Sequence, residues 1–186
     1  AVLGFPYEAD RLANGNTLIS DGFNRRVIEV NPAGEIVWQY PGLVETTFDV
    51  EWVHNATSGV DLFTHIHRPV DDGSGRTYPL VVLVPGGSGN GGMFHGYANA
   101  LATEGIIAVH FDPDGRGLST NGGTYTTEDY CGHIQQDGLK AVLDNAIDHP
   151  ATDRNAVGIL SRSYGITMAS GMLARYPDQP PVRWLL

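Results

Sequence analysis

Leu80-Val-Val-Leu-Val84 is a continuous run of β-branched and leucine side chains with no polar residue in it. A strand of that kind needs apolar cover on both faces, which a parallel sheet with helices on either side provides. Ile106-Ile-Ala-Val-His-Phe111 and Val157-Gly-Ile-Leu160 make the same demand. Helical periodicity separates these runs. Phe94, Tyr97, Ala98 and Leu101 space out one helix, which Glu104-Gly105 ends. A second helix is predicted from about Tyr130 to Ala146, with Leu139, Val142, Leu143, Ala146 and Ile147 on one face. A third places Ile166, Ala169 and Leu173 together. Strands alternating with amphipathic helices imply an α/β fold built on a mostly parallel sheet. Val182-Arg-Trp-Leu-Leu186 starts one more buried strand.

Residues 1–42 read differently. Asn14-Gly15 and Pro32-Ala-Gly34 are turn signals between short alternating strands, and Glu35 to Tyr40 reads as another strand. Three or four short strands in about 40 residues have the size of one β-propeller blade. Pro41-Gly42 marks a boundary, giving a blade-like segment over 1–42 and an α/β domain over 43–186.

The formal charge of −10 argues against a nucleic-acid partner. No apolar run approaches the roughly 18 residues of a membrane-spanning helix. No signal peptide is visible, but the chain starts at Ala rather than Met, which leaves the compartment open. Cys131 is the single cysteine, so no internal disulfide can form, and it is read as filler rather than nucleophile. Asn55-Ala-Thr57 is a glycosylation sequon, relevant only to an exported protein.

Three loops carry the candidate chemistry. Pro85-Gly-Gly-Ser-Gly-Asn-Gly-Gly92 follows a buried strand, and no Lys-Ser/Thr pair makes it a phosphate loop. Bare glycine backbone there would let a substrate carbonyl approach an N–H donor, with Gly87 the first choice and Ser88 the second. Asp112-Pro-Asp-Gly-Arg-Gly-Leu-Ser119 is read as structural, tethered by Arg116. Ser161-Arg-Ser-Tyr-Gly165 lies between a strand and a helix, with Ser163 at the sharp turn and small residues two positions to either side. That is the layout of a nucleophile elbow, although Ser161 stands where glycine is usual.

In this order and spacing, the three loops resemble the first two-thirds of an α/β-hydrolase domain, of the serine esterase or peptidase type, over residues 43–186. The words Asn14-Gly-Asn-Thr-Leu-Ile19, Arg26-Val-Ile-Glu-Val-Asn-Pro32 and Gly34-Glu-Ile-Val-Trp38 resemble the repeats of arylsulfotransferase-like propellers. The hydrolase resemblance implies attack by Ser163 on an ester or amide carbonyl. The oxyanion would be held by the N–H groups of Tyr164 and Gly87. The substrate would be a small-molecule ester or amide, or a peptide.

The family's triad runs serine, then Asp or Glu, then His. After Ser163 the sequence holds one acid, Asp178, and no histidine. The expectation is therefore a domain truncated at its C-terminus, with acid and base missing from this chain and little activity from it as it stands. A blade before a hydrolase domain also resembles the prolyl-oligopeptidase arrangement, which would imply peptide substrates. A non-catalytic binding protein is the alternative of another class. His65 and His67 share one face of a strand and could share a metal, but no third ligand is near in sequence. They are taken as partly exposed strand residues, and neither metal nor cofactor is assigned. His95 and His110 are the histidines that could approach the serine, though neither holds the family's position for the base.

Overall fold

The computed structural model describes residues 3, 6–21, 26–40, 46–70, 73–120, 127–178 and 182–186. The chain divides into two compact units, Ala1–Val44 and Glu45–Leu186. The expected boundary at Pro41-Gly42 falls outside the described residues.

The first unit is a four-stranded antiparallel meander: β1 (Pro6–Arg11), β2 (Thr17–Asp21), β3 (Arg26–Val30) and β4 (Ile36–Tyr40), paired in chain order. Gly15 and Gly34 both have φ of +84°, the left-handed backbone that these tight connections require. Asn14 and Asn31 help close the turns by accepting backbone N–H bonds from Asn16 and from Ala33 and Glu35. Ile28 is buried in this unit, and Arg26 pairs with the buried Asp21 at 2.9 Å.

The second unit is a six-stranded sheet. Its strands are β5 (Thr46–Asn55), β6 (Val60–Pro69), β7 (Tyr78–Val84), β8 (Ile107–Phe111), β9 (Thr152–Ser161) and β10 (Val182–Leu185). Their order is β10-β9-β7-β8-β6-β5. Neighbours from β8 to β10 pair in parallel, whereas β5 and β6 form an antiparallel hairpin whose second strand runs antiparallel to β8. The sheet is thus mixed and mostly parallel, as the sequence implies. The central run Leu80–Val84 is buried throughout.

Helix α1 (His95–Thr103), preceded by a 3-10 turn over Gly91–Phe94, covers one face through Phe94 and Ala98 against Val81, Leu83 and Ala108. Helices α2 (His133–Asp148) and α3 (Gly165–Arg175) cover the other, where Leu139, Val142 and Leu143 meet Leu80, Val82, Val109 and Ile159. Helix α2 begins later than predicted, with Gly132 as its N-cap and its first turn held by Asp129. The Asp129 carboxylate accepts from the N–H groups of Ile134 and Gln135. Tyr130 and Cys131 sit before the helix at positive φ. On α3 the buried residues are Gly165, Met168, Ala169 and Met172, and Ile166 is turned outward.

Asn55 of the sequon is buried, and its amide donates to Asp114 Oδ2 at 2.9 Å and to the Ile134 carbonyl at 3.0 Å. In this fold it is a structural side chain with no room for a glycan. Cys131 is also buried, and burial raises its thiol pKa, which fits filler rather than nucleophile.

Candidate active site and histidine cluster

Ser163 lies at the turn between β9 and α3 with φ of +50°, a region that costs an L-residue on the order of 1–3 kcal/mol. The backbone on both sides is over-determined. Arg162 N–H donates to the Val84 carbonyl, while Gly165 and Ile166 donate back to Arg162 and Ser163 at 3.0 and 3.2 Å. A Cβ on Gly165 would lie 2.8 Å from the carbonyl oxygens of Val84 and Pro85. Glycine is therefore required there by close packing against the end of β7. Ser161 fills the position two residues before Ser163, and its hydroxyl is buried without a partner among the described residues.

The Gly-rich loop leaves β7 alongside this turn. A Cβ on Gly86 would come within 3.0 Å of Ser163 Cβ. Gly87, the next residue, has φ of +54° and open space on its Cβ side. Among the described residues, neither the Gly87 nor the Tyr164 N–H donates to a protein acceptor. The fold thus brings Ser163, Tyr164 and Gly87 to one end of the sheet. Beside them a surface cavity of about 410 Å³ is lined by Met93, Phe94, Tyr97, Leu160, Ser161 and Arg162 as well as Ser163. Its wall mixes apolar side chains with the polar residues of the serine turn.

The Asp112–Ser119 loop is pinned from within. Asp112 accepts from the N–H groups of Gly91 and Leu118, each at 2.8 Å, and so ties this loop to the Gly-rich one. Arg116 is buried and grips Glu128 through two nitrogens at 2.5 and 2.9 Å, with a third bond to Gln135 at 3.1 Å. Asp114 accepts from Asn55 and Ser58, and burial raises its pKa. These acids hold loops together; their oxygens are already occupied.

His95 and His110 gather with His65 and His67. The strand pairing sets His65 opposite His110, and α1 starts at His95 above the same face. One ligand atom from each of the four lies within 4.8 Å of every other. His67 Nε2 and His110 Nε2 are 3.2 Å apart. Phe48 of β5 stacks on His65 and His67, with centroids at 6.0 and 5.5 Å, and meets His95 edge-on. His67 and His110 are 1% and 2% exposed, so the expectation of partly exposed strand histidines fails for His67. Burial first, then neighbouring imidazoles, pull His67 down to about 4 and His110 down to about 3. Burial also lowers His65. A second cavity of about 160 Å³ abuts the cluster, lined by Phe63, His65, Asn90, Gly92, His110 and Asp112. The sequence offers the i, i+2 pair but not its partners, because His95 and His110 lie some thirty and forty-five positions further on.

No protein-family model matches the sequence, and no curated protein matches it. Solved structures do match in fold. A protein assigned as a dipeptidyl aminopeptidase IV, from Bacteroides ovatus, aligns over 92% of this chain and 27% of its own, at 17% identity and a TM-score of 0.59. The α/β hydrolase GrgF from a Penicillium species aligns over 76% of this chain and 44% of its own, at 14% identity and a TM-score of 0.57. An esterase from Exiguobacterium antarcticum aligns over 72% of this chain and 43% of its own, at 21% identity and a TM-score of 0.55. The chain spans less than half the length of each. No described helix is long and apolar enough to cross a membrane. With its β10-β9-β7-β8-β6-β5 sheet and its helices on both faces, the second unit has the fold of the α/β-hydrolases.

Proposed function

We propose that the protein is a serine hydrolase that cleaves an ester or amide bond, with Ser163 as nucleophile and the N–H groups of Tyr164 and Gly87 as oxyanion donors. The observation that carries this reading is the positive φ of Ser163 at a strand-to-helix turn packed against glycine backbone. Such strain is retained where the surroundings impose it, and it lifts the hydroxyl clear of the sheet. Acyl transfer to Ser163 Oγ would build negative charge on the carbonyl oxygen, and two N–H groups with no protein acceptor among the described residues would suit that charge. Residues 164–186 contain Asp178 but no histidine, so the general base of the family's triad has no counterpart in its usual place within these 186 residues. This chain by itself is expected to turn over slowly. Loss of a triad member costs on the order of 10⁴–10⁶ in turnover.

The test is hydrolysis of short-chain p-nitrophenyl esters by the natural full-length protein, together with labelling by a fluorophosphonate. Ser163→Ala should abolish both. A wild-type rate in that variant would remove Ser163 from the chemistry.

One observation favours a peptidase as the second reading. The match to the Bacteroides ovatus protein covers 92% of the chain, more than the three quarters that residues 45–186 represent, so it reaches into the N-terminal meander. We take that meander as one blade of a propeller, which beside a hydrolase domain gives the prolyl-oligopeptidase arrangement. Faster turnover of dipeptide anilides than of simple esters would favour it. Absence of both turnover and fluorophosphonate labelling would leave a binding protein on a hydrolase fold.

A further inference from the structure

We propose that His65, His67, His95 and His110 form a binding site for a divalent transition metal of the zinc class, which pins β6, β8 and the first turn of α1 together. Imidazole is the preferred nitrogen ligand for such ions, and four protein ligands make a closed structural site rather than an open catalytic one. With metal–nitrogen bonds of 2.0–2.1 Å, two ligands at a tetrahedral centre stand about 3.3 Å apart. His67 Nε2 and His110 Nε2 are already 3.2 Å apart, and the remaining atoms close in from no more than 4.8 Å by small side-chain rotations.

The polar atoms of the cluster support a ligand. Both ring nitrogens of His65, and Nδ1 of His67, are buried with no hydrogen-bond partner among the described residues. An unpaired buried polar atom is costly, so a buried His65 nitrogen with no protein partner among the described residues is suited to a ligand. A single cation takes one lone pair from each ring: bound through Nε2 of His67 and His110 it meets one nitrogen of His65, while the other His65 nitrogen and His67 Nδ1 stay as N–H groups. Phe48 closes the apolar side of the site. Asp112 is not a fifth ligand in this arrangement, because both of its oxygens already accept backbone N–H bonds. Ser163 follows β9, and β9 is separated from β8 by β7, so the metal stands two strands away from the nucleophile's strand. Its role is to hold the start of α1 on the sheet.

The experiment uses the tag-free full chain, stripped with a chelator and then titrated with Zn²⁺ alone or Co²⁺ alone. Elemental analysis should find about one equivalent per chain, and Co²⁺ should give the visible ligand-field bands of a tetrahedral nitrogen site. Zn²⁺ at about a hundredfold excess over Kd should raise Tm by about 5–10 °C. His95 is exposed, so His95→Ala should fold and yet bind at least about tenfold more weakly, and His110→Gln should lose the bands. His54→Ala and His133→Ala, outside the cluster, should bind as wild type. Failure of the wild-type chain to take up either ion would overturn the proposal. Undiminished binding in both His95→Ala and His110→Gln would overturn it equally, since the ion would then sit elsewhere. Neither outcome bears on Ser163, whose labelling is read separately.

Discussion

A Cβ placed on Gly86 would lie 2.2 Å from the Arg162 carbonyl oxygen, so the Gly-rich loop and the serine turn meet backbone against backbone. Arg162 N–H also donates to the Val84 carbonyl at 3.0 Å, which stitches the end of β7 to the residue before Ser163. Two loops, about 76 residues apart in sequence, are thereby held as one piece.

Gly86→Ala should therefore displace the turn. The clash is with backbone, which has no rotamer to yield, and overpacking of this kind costs about 1–3 kcal/mol. The variant should show a lower Tm together with loss of fluorophosphonate labelling at Ser163. Unchanged stability and labelling would mean that the loop and the turn are not in contact.

Ser163 itself should respond to substitution in an unusual order. In ordinary strands and helices glycine is less stable than alanine by about 0.5–1 kcal/mol. At φ of +50° the order should invert, with Ser163→Gly more stable than Ser163→Ala by about 1 kcal/mol, because the left-handed backbone penalises a Cβ. Urea denaturation of the two variants measures this directly. Alanine emerging as the more stable would show that the strained turn is absent in solution.

Arg116 is 3% exposed and satisfies Glu128 and Gln135 at once. Arg116→Met removes the charge and strands a carboxylate, for which a loss of about 3–5 kcal/mol is expected. The double variant Arg116→Met/Glu128→Gln should recover part of it, since no isolated charge is left. A double-mutant cycle on chemical denaturation tests the coupling, and simple additivity would contradict it.

Asp137 gives a pH signature. Burial raises its pKa, but hydrogen bonds from Tyr176, Thr57 and Arg175 outweigh that and hold it below the ordinary carboxylate value. A depressed folded-state pKa contributes stability that is present above the unfolded-state value of about 3.9 and is lost as pH falls through the folded-state value. The Tm gap between wild type and Asp137→Asn should accordingly be full near pH 7 and narrow below about pH 4. A gap independent of pH would assign the loss to packing rather than charge.

The layers of the second unit and the position of its serine turn can be read from the order of residues alone. Leu80–Val84 and Val157–Leu160 are apolar without interruption, so only a two-sided parallel sheet could bury them, and Ser163 follows directly from the second of these runs. Local chemistry was enough in these places because strand burial and turn geometry depend on residues adjacent in the chain. Tertiary structure decided which face of α3 is buried, turning Ile166 out and Met168 and Met172 in, since a helix with apolar residues on several sides takes its orientation from what it packs against. It also decided the histidine cluster. His65 and His67 declare a shared face by their spacing, but His110 joins them only through the antiparallel register of β6 with β8, and His95 only through the docking of α1 on that face. A strand register that spans some forty-five residues is a property of the whole sheet, and no local pattern encodes it.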